Sequence, residues 1–364
     1  MAEKRTGKVL LVGAGPGDPR LITWRGLEAL ASADAVCYDA LVDPTLIATL
    51  PPSVERHYVG KRAGGHSMPQ DEINALLIRL AREGKVVVRL KGGDPFIFGR
   101  GGEEALALRE AEVPFEVVPG VTAASAATAC AGIPLTHRGA SAFALLFTAH
   151  ETPGKPAGEA EVPHDLLARA GEGTLVGYMG VRRLNELVKS LLDNGMDPST
   201  PAALIERGST PRQKQVSAAL AELPRAAEEE GIQPPALFVA GRVVRLAGVL
   251  SWKGAGPLGG RRILVTRPCD VAGEIYDLLA REGAEVVPAP AILTEAREDP
   301  EGWAHLREVL PEGGWLIFTS EAGVRFFFAR FRRIARDLRA LAAMRIAVLG
   351  RGTASALAER GLAA

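Results

Sequence analysis

The sequence predicts an α/β chain built on a largely parallel sheet, and three observations carry that expectation. Short β-rich runs alternate with stretches of helical periodicity, glycine-rich turns stand at the ends of several runs, and the alternation restarts after an internal break at 251–260.

Taken in order, the runs are KVLLV at 8–12, AVCYDA at 35–40, HYVG at 57–60, VVVRL at 86–90 and FEVVPG at 115–120. Between them Ile73, Leu76, Leu77, Leu80 and Ala81 keep helical spacing, so a helix over 70–83 should lay one apolar face on a sheet. The stretch ETPGKPAGEAEVP at 151–163 has the Pro, Gly and Glu content of a surface loop joining two lobes. A second set of strands follows at TLVGYMG (174–180), AALIERG (202–208) and ALFVAGRVV (236–244). The segment SWKGAGPLGG at 251–260, with four glycines and a proline in ten residues, reads as a linker. Beyond it come RILVT (262–266), AEVVPAPAI (284–292), WLIFTS (315–320) and RIAVLG (345–350).

A length of 364 residues with 47% hydrophobic content suits two or three domains with buried cores. The 43 basic residues balance 43 acidic ones, so no global field favours nucleic acid, and a polyanionic ligand would need a local cluster of Arg, Lys and His. Cys37, Cys130 and Cys269 lie far apart without ligand spacing, so neither a disulfide framework nor a metal site is expected. No run approaches the roughly 20 apolar residues that span a bilayer. The opening MAEKRTGKVLLVGAGPGD leads into Gly and Asp rather than a small-residue cleavage site, so a cytoplasmic, reducing compartment is expected.

Two glycine-rich segments carry the chemistry. In VGAGPGD at 12–18, Pro16 sits inside the loop and Asp18 stands where a dinucleotide fingerprint places its third glycine, so this is a different kind of ligand loop or a tight turn. KGGDPFIFGRGGEE at 91–104 packs five glycines, one Asp, one Arg and two Glu behind the strand VVVRL. Gly92 and Gly93 there would expose backbone to a ligand. Asp94 would offer a carboxylate, with a turn or helix cap as the plainer role. Arg100 and Glu103 stand three apart at a helix start, where a surface ion pair is the plainer role.

GAGPGD, YDALV, VGKR, the Gly92 segment, VPGVTAASAA, GIPLTHR, YMG and ERG occur in the order and spacing of uroporphyrinogen-III C-methyltransferases, and the resemblance runs from about Gly7 to Leu250. It implies the two-lobed tetrapyrrole methylase fold, with lobes at about 7–150 and 164–250 and S-adenosyl-L-methionine in the cleft between them. By that resemblance Pro16, Gly92, Gly93, Asp94, Ile97, Thr122, Ala123, Met179 and Gly208 contact the methyl donor. Ile97 and Met179 could equally be ordinary core, and Thr122 could cap the helix TAASAATA. Asp39 and Lys61 match the family's proton acceptor and proton donor; the plainer role of each is a solvated charge at a strand end. Because uroporphyrinogen III carries eight carboxylates, Arg62, Arg100, His137 and Arg138 are the expected cationic partners, with Glu103 orienting Arg100 or meeting pyrrole N–H groups. FTAH at 147–150 departs from the family's TGH near His150.

Residues 261–364 resemble the first part of uroporphyrinogen-III synthase through RILVTRP, GAEVVPAPAI, WLIFTSEAGVRFF and IAVLGRGTASAL, with GRGT in place of the usual GPGT. The return half of that family's two-lobed chain is missing, and no acid, base or nucleophile is recognisable, so synthase activity is not expected. What the resemblance implies is methylation of uroporphyrinogen III at C2 and C7 to precorrin-2, by a homodimer, for sirohaem or cobalamin. The rival readings are a same-fold methyltransferase for a later precorrin, a protein residue or rRNA, and a tetrapyrrole-binding scaffold. An aromatic content of 5% and zero net charge give the rRNA reading little support.

Overall fold

The computed structural model describes residues 7–60, 68–149, 162–170, 172–252, 256–268, 272–292, 294–335 and 337–364. Lys61, Arg62 and His150 lie outside the described residues. The chain divides into two compact units, one ending at Pro290 and the other running from Ala291 to Ala364.

The first unit opens with β1 (Lys8–Gly13), β2 (Ala35–Tyr38), β3 (Glu55–Tyr58), β4 (Val86–Lys91) and β5 (Phe115–Val118), which form one all-parallel sheet in the order β3-β2-β4-β1-β5. β1 and β4 read as continuous apolar runs because helices cover both of their faces. Leu10, Val12, Val88 and Leu90 pack with Leu30 and Ile47 on one side. Val9, Leu11 and Val87 pack with Ile73, Leu77, Leu80 and Leu108 on the other. The expected helix is present as Gln70–Arg82, and its fully buried Leu77 would cost about 2–5 kcal/mol if cut to Ala.

The second lobe is a mixed sheet of β6 (Ala144–Thr148), β7 (Thr174–Tyr178), β8 (Pro201–Glu206), β9 (Lys214–Ala219) and β10 (Ala236–Ala240), ordered β6-β7-β10-β8-β9. Only β6 and β7 run parallel; β10 opposes both of its neighbours, and β9 turns back on β8. A largely parallel arrangement therefore holds for the first lobe and not for the second. β6 and β9 are strands beyond those expected, and β6 pairs with β7, so the second sheet begins before residue 150. The helix Ala123–Cys130 also belongs to this lobe, since Ala124 and Ala127 pack against Val176, Ala203, Ile205 and Val239.

After the expected linker, β11 (Arg262–Val265) and β12 (Glu285–Pro288) pair in parallel and stay with the first unit. Val265, Tyr276 and Val286 cluster with Ala48, and Arg212 bonds Glu285 at 2.8 Å. The division into units thus falls later than 251–260. In the second unit β13 (Gly314–Phe318) and β14 (Met344–Val348) pair in parallel around Phe318, Val324, Phe328, Phe331 and Leu357. Among the described residues no helix is long and apolar enough to cross a membrane.

Candidate active site

Three loops meet at the carboxyl ends of the first sheet, the edge where open α/β sheets gather ligands. They follow β1, β4 and β5. Gly15 and Gly93 exchange backbone hydrogen bonds, with the Gly93 N–H donating to Gly15 O at 2.7 Å. Gly120 lies so close that a Cβ there would sit 2.3 Å from Gly93 O, which only glycine permits. Gly93 has a left-handed φ of +71°, and the space where its side chain would be is open. The segment therefore turns bare backbone outward, as a ligand cradle requires.

Asp94 performs the plainer of its two expected roles. Its Oδ1 accepts from Phe96 N at 2.8 Å and its Oδ2 from Gly120 N at 2.9 Å, tying the β4 loop to the β5 loop. Each oxygen keeps a lone pair for a further donor. Gly92 packs under Leu41, where an added Cβ would meet the Leu41 Cβ at 2.6 Å. That contact draws the Asp39 loop against the Gly92 loop.

Asp39 follows β2 and is held twice: Oδ1 accepts from Leu41 N at 3.1 Å, and Oδ2 from Arg89 at 3.4 Å. Behind it lies a buried charge network made of residues outside the expected site. Arg89 and Lys91, two apart on β4 and so on one face, both donate to Glu104 of the helix Gly101–Glu110. Their distances are 3.0 Å from Arg89 Nε and 2.9 and 3.0 Å from Lys91 Nζ. Gln70 adds a bond to the same carboxylate at 3.3 Å. Burial, followed by the charge of Arg89, pushes the Lys91 ammonium below its usual range, while Glu104 opposes that shift. A sequence signal existed: two cations inside an apolar run of a central strand demand a buried carboxylate.

Across the cleft, Thr122 occupies the helix N-cap position without capping through its side chain; its Oγ1 lies 2.6 Å from Tyr178 Oη instead. Tyr178 Oη also accepts from Ala124 N at 2.9 Å, and its ring lies 4.8 Å from that of Phe98. Ala123 and Ile97 are half-buried beside these groups in sequence, and Met179 is exposed with a left-handed φ of 59°. Phe98, Arg100, Arg207 and Ser209 share that unusual backbone region, so strain collects on the loops that frame the cleft. Gly208 abuts Ala127, and Ser209 Oγ accepts from Asp18 N at 3.2 Å, which joins the second lobe to the half-buried Pro16 loop.

The expected substrate residues are only partly assembled. Arg100 and Glu103 form an exposed ion pair of 2.7 Å, the plainer of the roles expected for them, which raises the Arg100 guanidinium and lowers the Glu103 carboxyl. His137 and Arg138 sit exposed on the turn closed by the His137–Ser141 bridge. Among the described residues no hydrogen bond or ion pair joins them to the glycine loops.

A family model described as Tetrapyrrole (Corrin/Porphyrin) Methylases matches residues 8–224, and one described as Uroporphyrinogen-III synthase HemD matches residues 273–364. The chain is 43% identical over 357 residues to the porphyrin biosynthesis protein HemD of Ruminiclostridium josui, covering 98% of this chain and 70% of that protein. It is 49% identical over 252 residues to a siroheme synthase of Azotobacter vinelandii, covering 69% of this chain and 53% of the relative, so it spans about half the length of that protein. A crystal structure of uroporphyrin-III C-methyl transferase from Thermus thermophilus, complexed with S-adenyl homocysteine, is 45% identical with a TM-score of 0.55, covering 66% of this chain and all of that one. A cobalt precorrin-4 methyltransferase is 32% identical with a TM-score of 0.57, covering 65% and 95%.

Proposed function

The chain belongs to the tetrapyrrole methylase family, and from that premise we propose that it methylates uroporphyrinogen III at C2 and C7, with S-adenosyl-L-methionine as donor, to give precorrin-2. The observation that carries this reading is the bare backbone cradle of Gly15, Gly93 and Gly120 beside the held carboxylate of Asp39. The donor would be held by Pro16, Gly92, Gly93, Asp94, Ile97, Thr122, Ala123, Met179 and Gly208. Open space at Gly93 and the spare lone pairs of Asp94 suit a polar ligand there. The likeness to a uroporphyrin-III C-methyl transferase complexed with S-adenyl homocysteine supports the same choice of donor.

The donor supplies an electrophilic methyl group on a sulfonium. The nucleophile is an electron-rich carbon of the reduced macrocycle, so no covalent bond to the protein is needed. The protein's work is alignment and proton handling. Asp39 accepts the proton that the macrocycle loses, Lys61 donates where one must return, and Arg62, Arg100, His137 and Arg138 pair with substrate carboxylates. The methylating unit is 7–250, joined through 251–260 to a synthase-like segment, and it works as a cytoplasmic homodimer serving sirohaem or cobalamin synthesis.

Incubation with uroporphyrinogen III and S-adenosylmethionine should release S-adenosylhomocysteine. A later precorrin is the competing substrate, since a cobalt precorrin-4 methyltransferase shares the fold at 32% identity, and it belongs in the same assay. Release with the later precorrin alone would overturn the choice of substrate.

A further inference from the structure

We propose that Glu104 is a positioning residue that acts through Arg89 to fix the orientation of Asp39. The proposal rests on the reading that Asp39 serves methylation.

Asp39 is the exposed end of the network, and the other three charges are buried. The Asp39 side chain is 25% exposed, that of Arg89 5%, Lys91 4% and Glu104 0%. Asp39 is thus the one of these four charges open to a ligand from solvent. Buried ion pairs are weak contributors to stability, because desolvation offsets their attraction. Four charges ending at one partly exposed carboxylate therefore point to a job at that carboxylate.

The donor geometry of Arg89 supplies the job. Its Nε is taken by Glu104 at 3.0 Å, and Nη1 by the carbonyls of Leu90 at 3.0 Å and Cys37 at 3.4 Å. The guanidinium plane is then fixed, and Nη2 is left aimed at Asp39 Oδ2. Since Leu41 N holds the other oxygen, the Asp39 carboxylate has little rotational freedom. Glu104 also accepts from Lys91 through both oxygens, so it neutralises the second cation that would otherwise repel Arg89. The strand and the helix that flank the Gly92–Arg100 segment are joined by this one carboxylate.

The test is steady-state methyl transfer by the full chain with uroporphyrinogen III and S-adenosylmethionine, for wild type, Glu104→Gln, Arg89→Lys, Asp39→Asn and the Asp39→Asn/Glu104→Gln double variant. Calorimetric binding of S-adenosylhomocysteine reports the integrity of the donor site. Glu104→Gln is expected to lower kcat on the order of 10- to 100-fold while donor KM and S-adenosylhomocysteine affinity stay near wild type. The double variant should be no slower than Asp39→Asn alone, because both act on one group. Arg89→Lys keeps the charge but loses the fork, so it should show the same selective fall in kcat and covers the case in which Glu104→Gln does not fold. Wild-type kcat in Glu104→Gln or Arg89→Lys, or losses that multiply in the double variant, would overturn the proposal. A wild type that turns over nothing removes the methylation premise, and the proposal with it.

Discussion

The hydroxyls of Thr122 and Tyr178 lie 2.6 Å apart and join the loop after β5 to the end of β7. Because Tyr178 Oη also accepts from Ala124 N, one phenol satisfies the entry of the helix Ala123–Cys130 and stitches the two sheets of the first unit together. Tyr178→Phe leaves both partners short of a bond. It should cost about 1–3 kcal/mol in urea unfolding. Donor affinity should fall with it, since Thr122 and Ala123 are proposed donor contacts; unchanged affinity would separate the stitch from the donor site.

Gly93 and Gly120 should respond differently to the same added methyl. At Gly93 the position is open but left-handed, so Gly93→Ala should fold at a cost of about 1–2 kcal/mol and raise donor KM by projecting a methyl into the cradle. At Gly120 the methyl would sit 2.3 Å from a backbone oxygen, so Gly120→Ala should displace the loops themselves. Melting curves and donor titrations on the pair distinguish the outcomes. Equal effects would count against the cradle.

Asp39→Asn keeps the size of the side chain and the bond from Leu41 N but removes the negative charge that faces Arg89. For a proton acceptor the expected fall in kcat is about 10²- to 10⁴-fold, with little change in S-adenosylhomocysteine binding. Near-normal turnover in single-turnover kinetics would remove Asp39 from the chemistry.

Cys37 gives a pH prediction. Burial pushes its thiol from 9.0 up to about 12, so in the folded protein it stays protonated when an unfolded chain would ionise. A raised folded value means that its contribution is complete below about pH 9 and is lost as pH rises toward 12. Stability should therefore decline over that alkaline window, and less steeply in Cys37→Ala. Mass-resolved labelling at pH 8 should leave Cys37 unmodified until denaturant is added; rapid labelling in the native state would contradict its burial.

Much of this architecture was legible because the strands of the first sheet are continuous apolar runs. KVLLV and VVVRL fell where β1 and β4 are found, and Ile73, Leu77, Leu80 and Ala81 form the buried face of their helix. β9 escaped because KQVSAA is a half-exposed edge strand with no strong alternation. β6 is hard to see because ALLFT is short, lacks alternation and runs straight into the FTAH motif. Local pattern also says little about which charges are buried. Glu104 looks like its exposed neighbour Glu103, and only the pairing of β4 with the helix turns it inward to Arg89 and Lys91. Tyr178 stands in the YMG motif, yet its hydroxyl finds its partners 54 and 56 residues away in the chain.

The most direct measurement is the mass of the tetrapyrrole recovered after the chain is incubated anaerobically with uroporphyrinogen III and excess S-adenosylmethionine. A gain of two methyl groups, with two S-adenosylhomocysteines released per macrocycle, is the expected result; recovery of unmodified uroporphyrinogen III from folded, donor-binding protein would contradict it.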